Sequence, residues 1–405
     1  MRYLGPVFRS TLALARSKNI ARFSMCSFST SSQREKQKKG ILELLAEKPV
    51  IGDGSYVITL EKRGYVLAGT WTPEASVVYP EAVKQLHKDY IRAGSDIIQA
   101  FSFYGTDDKL SFTTGKGKKI TYTSEEVNES ACNIAFEVAG DSGILVCGGL
   151  SPTPAYTEGK GKEFVQGEFR KQIEVYKKKK VDFLLAEFFG HIVEMEWAIE
   201  VMKGAGMPIA TTMRIGICGD LDGVSVEECT LRMAKAGADI IGTNCMYDPA
   251  IALKTLKMMK DTLDKNDLKV FLMTQPVGYH TQEIEKDTRG YFALPEFPFA
   301  METRLLNRMD VHKFARDAYN LGVNYIGGCC GFEPYHIRAL AEELAAERGC
   351  RPPGQDMSSG FKGLKDSMFE EQRARGNRKY WSDMKPGTGR NESVLLSTID
   401  PVPKK

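Results

Sequence analysis

Three cysteines in this chain combine a residue type and a spacing that could do chemistry. Cys329 and Cys330 are adjacent in the segment YIGGCCGFEPYHIRA (325–339), and Cys245 ends the segment ADIIGTNC (238–245). Neighbouring cysteines rarely form a disulfide, because that bond requires Cα atoms ~4.4–6.8 Å apart and unstrained dihedral angles. Three thiolates that meet at one point would suit Zn²⁺, which binds sulfur at ~2.3 Å and can keep a fourth position open.

The elements that must position these thiols are eight short apolar segments, which alternate with amphipathic helical segments from residue 50 onward. Continuous apolar runs are typical of strands buried on both faces of a parallel sheet. We therefore predict an α/β fold, a (β/α)₈ TIM barrel over residues 39–350. The alternative, a doubly wound open sheet, is less favoured because the first strand is followed by IGDGSY and not by G-x-G-x-x-G. The candidate strands are VIGDGSYVI (50–58), SDIIQAFSF (95–103), GILVCGGL (143–150), VDFLLAEFF (181–189), PIATTMRI (208–215), ADIIGTNC (238–245), KVFLMTQPVG (269–278) and VNYIGGCC (323–330).

Functional groups of such barrels gather at the carboxyl ends of the strands. Cys245 ends the sixth candidate strand, and Cys329 and Cys330 end the eighth, so the three thiols could converge despite a gap of 84 residues. Nearby glycines, at positions 327, 328 and 331, would let the backbone turn both neighbouring thiolates toward one ion. The alternative is that these are ordinary core cysteines, an interpretation that we prefer for five others: Cys132, Cys147, Cys218, Cys229 and Cys350.

A zinc site with three thiolates is a weak Lewis acid for splitting water but a good holder of a further thiolate. It lowers the pKa of an incoming thiol and leaves the sulfur nucleophilic. The predicted reaction is therefore alkyl transfer to the thiol of a substrate.

Other strand ends fit a small zwitterionic substrate. Asp53 and Glu187 could each hold an ammonium group, and the backbone N–H groups around Gly54 and Ser55 could hold a carboxylate. Both acids could equally be solvated or salt-bridged side chains. Aromatic side chains near the same rim could attract a quaternary ammonium by cation–π contact, worth ~0.5–2 kcal/mol each, or simply pack. They are Tyr56, Trp71, Tyr104, Phe188 and Phe189.

Composition excludes several classes of protein. No stretch approaches the ~18 apolar residues of a membrane span, and nine cysteines in 405 residues do not resemble a disulfide framework. The net charge is +3, but residues 1–40 carry five Arg and four Lys against one Glu, so the remainder is −5. A nucleic-acid partner is therefore not expected.

Both ends of the chain differ from the barrel in composition. Residues 1–38 are rich in Arg and Ser, with no acid before Glu35, which predicts a mitochondrial transit peptide and a matrix location. The alternatives are a disordered basic tail and a cytoplasmic protein. Residues 351–405 begin rich in Pro, Gly and Ser and carry Tyr380 and Trp381, which suggests an extended arm that docks on a neighbouring surface; a disordered tail is the alternative.

Several segments together resemble the betaine–homocysteine S-methyltransferases, over about residues 38–390. They include KKGILELLAEKPVIGDGSYVITLEKRGYVLAGTWTPEA, FYGTDDKL, VDFLLAEFF, ADIIGTNC, LPEFPFAMETR and YIGGCCGFEPYHIRALAEELAAERG. The resemblance implies betaine and homocysteine as substrates, dimethylglycine and methionine as products, and one zinc ion per chain bound by Cys245, Cys329 and Cys330.

The resemblance also implies roles for the substrate residues. Asp53 and Glu187 would contact the amino group of homocysteine, and Gly54 and Ser55 its carboxylate. The betaine methyl groups would lie against Trp71 and Tyr104. Arginines of the C-terminal arm, which serves for dimerisation in the family, would bind the betaine carboxylate; they are Arg375 and Arg390.

Three positions depart from the family pattern. Phe188 stands where Tyr is usual, Tyr56 where Phe is usual, and Ser55 replaces a second Gly. Tyr56 could return a hydroxyl from the facing strand. Because these changes concern the donor pocket, two alternatives stay open: a sulfonium donor such as a dimethylsulfonium acid or S-methylmethionine, or a non-catalytic barrel that senses thiols or metal. The short tail favours a homodimer over a tetramer.

Overall fold

The fold is an α/β barrel whose eight strands are all parallel. The computed structural model describes residues 38–66, 72–111, 122–353 and 369–375. The sheet order is β1-β8-β7-β6-β5-β4-β3-β2. Between β1 and β2 the described residues form no ladder, but the Asp96 N–H donates to the Ile51 carbonyl at 2.8 Å, so the barrel is nearly closed. The strands are β1 Val50–Ile51, β2 Ile97–Gln99, β3 Leu145–Leu150, β4 Phe183–Phe189, β5 Ile209–Met213, β6 Ile240–Asn244, β7 Phe271–Gln275 and β8 Tyr325–Ile326.

Helices surround this sheet. Each of the predicted strands is present, and each is followed by at least one helix. Three short 3₁₀ segments, Gln282–Ile284, Gly290–Ala293 and Met301–Arg304, lie in the long loop after β7. The α-helices are α1 Ile41–Glu47, α2 Val57–Lys62, α3 Ala75–Val78, α4 Pro80–Ala93, α5 Asp107–Leu110, α6 Ser124–Ala139, α7 Pro154–Thr157, α8 Lys162–Lys179, α9 Ile192–Lys203, α10 Val226–Ala236, α11 Pro249–Lys265, α12 Arg308–Leu321, α13 Pro334–Glu343, α14 Ala345–Arg348 and α15 Glu370–Arg375. The predicted barrel is confirmed.

The strands are buried on both faces, which explains their continuous apolar sequences. Residues such as Val50, Leu145 and Phe183 point into the barrel and pack with Ile41 of α1, which covers the amino-terminal end. Their alternate neighbours belong to a second, larger core between the sheet and the helices. Because successive side chains of a strand point to opposite faces, both cores need apolar residues and no polar alternation remains.

Local signals fix where several helices begin and end. Asp248 caps α11 by accepting from the Ile251 N–H, and Pro249 occupies the first helical position. Gly94 ends α4 and Gly237 ends α10, each with a left-handed φ that glycine adopts at little cost. The boundaries of these helices determine where the connecting loops begin, and the site forms where the strands end.

The structure corrects one of the cysteine predictions. Cys132, Cys147, Cys229 and Cys350 are buried as predicted, but Cys218 is exposed. It lies in a turn closed by a bridge between Gly216 and Gly219.

The predictions for both chain ends fall almost wholly outside the described residues. Residues 1–37, with nearly all of the predicted transit peptide, lie outside them, and of the arm only 351–353 and 369–375 are described. In the described part of the chain, none of the helices has the length and apolarity that crossing a membrane requires.

Candidate functional site

Three thiols meet at the carboxyl-terminal rim of the barrel, as the sequence predicted. The sulfurs of Cys245, Cys329 and Cys330 all lie within 4.8 Å of one another. Cys245 Sγ is 3.7 Å from Cys330 Sγ, and Cys329 Sγ is 4.0 Å from Cys330 Sγ. Ligands bound tetrahedrally at ~2.3 Å would be about 3.8 Å apart. The three sulfurs could therefore hold one metal ion without rearrangement.

Unusual backbone conformations bring these thiols together. Cys245 follows β6 with a φ of 58°, in the left-handed region that non-glycine residues rarely adopt. After the cysteine pair, Gly331 has a φ of 83°, and a Cβ on Gly328 would lie 2.0 Å from the Phe332 ring. Strained conformations of this kind concentrate at functional sites because the surrounding fold enforces them.

The three thiols differ in how their surroundings affect their protonation. Burial raises the pKa of Cys245, whereas hydrogen bonds from Cys245 and Cys329 stabilise the Cys330 thiolate and hold its pKa well below the usual range. Tyr291 adds a further hydrogen bond that favours this thiolate. The site therefore stabilises negative charge on Cys330, as a cation-binding site requires.

Asp53 is a buried carboxylate at the same rim, just after β1, the strand that pairs with β8. Its Oδ2 accepts from the Gln99 N–H at 2.7 Å and from the Tyr56 hydroxyl at 2.9 Å. Burial nevertheless raises the pKa of Asp53 to about 6, because these bonds offset only part of the desolvation. A cationic guest would restore the ionised form.

Glu187 is the second buried acid, and an irregularity in β4 aims it into the site. The register with β5 shifts between Ala186 and Phe189, and Phe188 has a φ of 69°. As a result Glu187 and Phe188 both line the cavity, although neighbours in a regular strand point to opposite faces. Burial and the nearby Asp53 charge raise the pKa of Glu187 to about 8.

Tyr56 lines the cavity as predicted, and its hydroxyl bonds to Asp53 and His87. It lies 2.9 Å from Asp53 Oδ2 and 2.7 Å from Nδ1 of the fully buried His87. Since the tyrosine proton serves Asp53, the histidine Nδ1 donates to the tyrosine oxygen. These two bonds use the hydroxyl proton and one lone pair, so the expectation that this hydroxyl replaces one lost at Phe188 stays a prediction.

The predicted carboxylate contact at Gly54 and Ser55 needs a correction. The Ser55 N–H is already donated to the Phe332 carbonyl at 2.9 Å. Among the described residues the Ser55 hydroxyl, which is buried at the cavity wall, has no partner, and the Gly54 N–H has no acceptor. A carboxylate here would thus be bound by the Gly54 N–H and the Ser55 hydroxyl. The serine that stands in place of a glycine therefore supplies its hydroxyl as a donor, because its backbone N–H is already used.

Aromatic rings line one side of the cavity. Tyr104 and Phe103 lie 6.5 and 5.7 Å from Phe188 by ring centroids. Phe189 instead packs behind the strand against Phe169, so its predicted place at the rim is wrong. Phe189 follows the bulge. There the side chains again alternate between the two faces of the strand, and that of Phe189 points toward the helices.

Three predicted contacts cannot be placed. Trp71 and Arg390 lie outside the described residues, and of Arg375 only the backbone, in α15, is described. Their assignment stays a prediction of the resemblance.

The site also includes residues that sequence reasoning missed. Gln99 donates its side-chain amide to Glu187, and Asn244 accepts from the Phe188 N–H at 2.8 Å. Arg214, directly after β5, also lines the cavity. Gln99, Asn244 and Arg214 all occur at or just after strand ends, a position that could have identified them. Tyr291 and Phe292 come from the long loop after β7, where no sequence pattern predicts that they reach the site.

The resulting cavity of about 250 Å³ contains the thiols, both acids, the aromatic side and Arg214. Two buried acids can hold an ammonium group, and the thiol cluster lies in the same space. The arrangement can therefore place an amino acid with a sulfur side chain between the acids and a metal ion.

Comparisons with known proteins agree with this chemistry. Residues 50–344 match the model of the family described as Homocysteine S-methyltransferase. Betaine–homocysteine S-methyltransferase 1 of Xenopus tropicalis is 52% identical over 365 residues, 90% of each chain. The mouse (Mus musculus) protein of that name is 50% identical over 368 residues, again 90% of each. The S-methylmethionine–homocysteine S-methyltransferase of Pongo abelii is 47% identical over 365 residues, 90% of this chain and 97% of the relative.

A solved structure has the same fold. The metallated form of the homocysteine methyltransferase MmuM of Escherichia coli superposes with a TM-score of 0.57 at 19% identity. The match covers 74% of this chain and 98% of that one.

Proposed function

The chain belongs to the homocysteine S-methyltransferase family, and from that premise we propose that it transfers a methyl group from betaine to homocysteine. The products are dimethylglycine and methionine. The observation that carries this function is the presence, in one cavity, of a three-thiol cluster and two buried acids. The relatives that are about 50% identical over 90% of the chain support betaine as the donor.

The metal that the three cysteines would hold is zinc, one ion per chain. The spacing of their sulfurs and the soft character of the ligand set support this assignment. Bound there, zinc lowers the pKa of a substrate thiol and leaves its sulfur nucleophilic.

The acids position homocysteine. Asp53 and Glu187 accept hydrogen bonds from its ammonium group, and the Gly54 N–H and Ser55 hydroxyl donate to its carboxylate. Gln99 donates to Glu187 through its side chain and to Asp53 through its backbone, so it fixes the two acids relative to each other. With its amino-acid end bound in this way, homocysteine extends its sulfur toward the thiol cluster.

The transfer needs orientation more than acid–base catalysis. The homocysteine sulfur forms a bond to a betaine methyl carbon, the carbon–nitrogen bond breaks, and its electron pair stays on nitrogen. The amine leaves neutral, so no residue has to supply a proton. Holding both reactants in line can contribute up to ~7–11 kcal/mol of rate enhancement.

The direct test is a turnover assay combined with metal analysis. Purified protein loaded with zinc should contain about one zinc per chain and form methionine from homocysteine and betaine. Zinc binding without turnover on any methyl donor would contradict the proposed function.

A sulfonium donor is the second candidate, because a relative that uses S-methylmethionine by name is 47% identical. The apolar Phe188 is compatible with either onium group. Betaine, S-methylmethionine and a dimethylsulfonium acid should be compared at equal concentration. We expect the highest kcat/KM with betaine; a clear preference for a sulfonium would replace betaine as the donor.

For the chain ends we propose a mitochondrial location and a homodimer. The basic, acid-poor composition of residues 1–38 supports the first. A reporter fused to these residues should enter mitochondria, and diffuse cytosolic signal would contradict the transit role. Light scattering of the purified protein should give the mass of two chains; a tetramer or monomer would contradict the second proposal.

A further inference from the structure

Asn244 is a buried side chain that joins two strands which are not neighbours in the sheet. It ends β6, immediately before Cys245. In the described sheet β5 lies between β6 and β4, so the ladder does not pair those two strands. The Oδ1 of Asn244 nevertheless accepts a hydrogen bond from the Phe188 N–H of β4 at 2.8 Å. Asn244 is fully buried and does not line the cavity, so it acts from behind the cavity wall.

The same amide reaches Glu187 with its other end. A backbone N–H can only donate, so Oδ1 must face Phe188, and Nδ2 then lies 3.5 Å from Oε2 of Glu187, a long hydrogen bond. The other carboxylate oxygen, Oε1, accepts from the side chain of Gln99. Both oxygens of this acid are therefore oriented by amides, and one of these amides comes from the strand that ends at Cys245.

The bond to Phe188 also supports the backbone conformation that aims Glu187 into the site. Phe188 has a left-handed φ of 69° and lies within the register shift of β4. A residue other than glycine keeps such a conformation only where its surroundings enforce it. A regular strand would turn either Glu187 or Phe188 away from the cavity. Asn244 therefore helps to hold the irregular backbone on which the position of the acid depends.

The two acids are tied to the thiol cluster in different ways. The Gly328 N–H, next to the cysteine pair, donates to the Asp53 carbonyl at 3.0 Å, so a backbone bond fixes Asp53 relative to these thiols. Glu187 is tied to the strand of Cys245 through the side chain of Asn244. A single substitution at Asn244 can therefore loosen one acid and leave the other in place.

We propose that Asn244 is a positioning residue that fixes the distance between the ammonium site and the thiol cluster, and so selects amino-acid thiols of the length of homocysteine. The inference rests on the proposed function and deepens it. Cysteine, which is one methylene shorter, cannot place its ammonium at the acids and its sulfur at the cluster together. A fixed distance turns this shortfall into discrimination, whereas an acid that can move would accept both thiols more equally.

The test compares Asn244→Ala with the wild type, both loaded with zinc, on homocysteine and free cysteine with betaine as the donor. One methylene allows discrimination of about 10- to 200-fold, so we expect the wild type to prefer homocysteine in kcat/KM by about 100-fold. Asn244→Ala should reduce this preference about tenfold. Calorimetry with methionine and S-methylcysteine, which differ by the same methylene, should show the same reduction without turnover.

A second variant and a matched control separate positioning from general stability. Asn244→Asp keeps an acceptor for the Phe188 N–H, so it should lose less of the preference, and it serves if Asn244→Ala does not fold. Asn324 is the control, because its Oδ1 also accepts a strand N–H, that of Leu272 at 3.4 Å, but it precedes β8 at the opposite end of the barrel. Asn324→Ala should lower thermal stability and keep the wild-type preference for homocysteine.

Two results would overturn the inference. One is a wild-type preference for homocysteine in both Asn244 variants, and the other is an equal loss of preference in Asn324→Ala. Absence of betaine turnover in the wild type would contradict the proposed function. The calorimetric comparison of methionine with S-methylcysteine would still test Asn244, so the two failures can be distinguished.

Discussion

The two sides of the cavity are built on different principles. On the amino-acid side, Asp53 and Glu187 are buried and already hold hydrogen bonds from Tyr56 and Gln99. On the other side, the guanidinium of Arg214 lies against the aromatic rings of Phe188 and Phe292. One side is preorganised by partners within the protein, and the other presents a charge that has none among the described residues.

This difference separates chemistry from specificity. A fixed acid pair and thiol cluster can hold one amino acid in a defined orientation, because each group is oriented by others. A side lined by aromatic rings and by the cations Arg214 and Lys109 can accept another donor after few substitutions. We therefore expect substitutions on the amino-acid side to abolish turnover. Substitutions on the other side should change which methyl donor is preferred.

The largest effect should come from the thiol cluster, on which both sides depend. Cys330→Ala removes the thiolate that its neighbours stabilise, so zinc content should fall well below one per chain and turnover by about 10³-fold or more. Metal analysis and methionine formation measure both. The exposed Cys218→Ser is the control and should retain both properties; equal loss there, or full activity in Cys330→Ala, contradicts the assignment.

The next effect separates the two sides directly. Glu187→Gln removes an acceptor of the ammonium group, so methionine affinity should fall roughly 10- to 100-fold while KM for betaine changes little. Glu194→Gln is the matched control. Glu194 is also buried and its pKa is raised to about 8, but it accepts from the Thr153 N–H and does not line the cavity. If Glu187→Gln weakened betaine binding more than methionine binding, the separation of the cavity into two sides would be contradicted.

Proton release should accompany binding on the amino-acid side. With a pKa of about 8, Glu187 is largely protonated at pH 7 in the free protein, and an ammonium guest lowers that pKa. Methionine binding at pH 7 should then release up to about one proton, detected by calorimetry in buffers of different ionisation enthalpy. Methionine has no thiol proton that could confuse the result. Proton uptake, or equal release from Glu187→Gln, would contradict this explanation.

The smallest effect concerns the support beneath Asp53. The Tyr56 hydrogen bond lowers the pKa of Asp53, which burial raises to about 6, so Tyr56→Phe should raise it further. Methionine binding needs this carboxylate ionised, so it is lost as the pH falls. In Tyr56→Phe this loss should occur at a pH about 0.5–1 unit higher than in the wild type. His87 stays neutral over this range because burial lowers its pKa to about 3. A shift toward lower pH would show that the hydroxyl does not serve Asp53.

The sequence predicted what depends on repeated pattern and residue type. Eight apolar runs identified the barrel, and strand ends brought Cys245 together with Cys329 and Cys330 because parallel strands finish at one rim. Asp53 and Glu187 were predicted for the same reason. Their protonation was not predictable, since it depends on burial that only the folded chain defines.

The sequence did not predict features that depend on the exact backbone. The bulge at Phe188 sends Phe189 to the core, and the Ser55 N–H is taken by Phe332. Arg214 was overlooked because one arginine after a strand is not distinctive until its place in the cavity wall is visible. Tyr291 comes from a loop without periodicity, so its approach to Cys330 depends on tertiary contacts alone.

X-ray absorption at the zinc edge, before and after homocysteine is added, tests the central claim most directly. The claim is that Cys245, Cys329 and Cys330 bind one ion and leave a position for the substrate sulfur. We predict three sulfur neighbours at ~2.3 Å in the free protein and four after homocysteine is added. Fewer than three sulfurs at the start, or a count that homocysteine does not change, would contradict it.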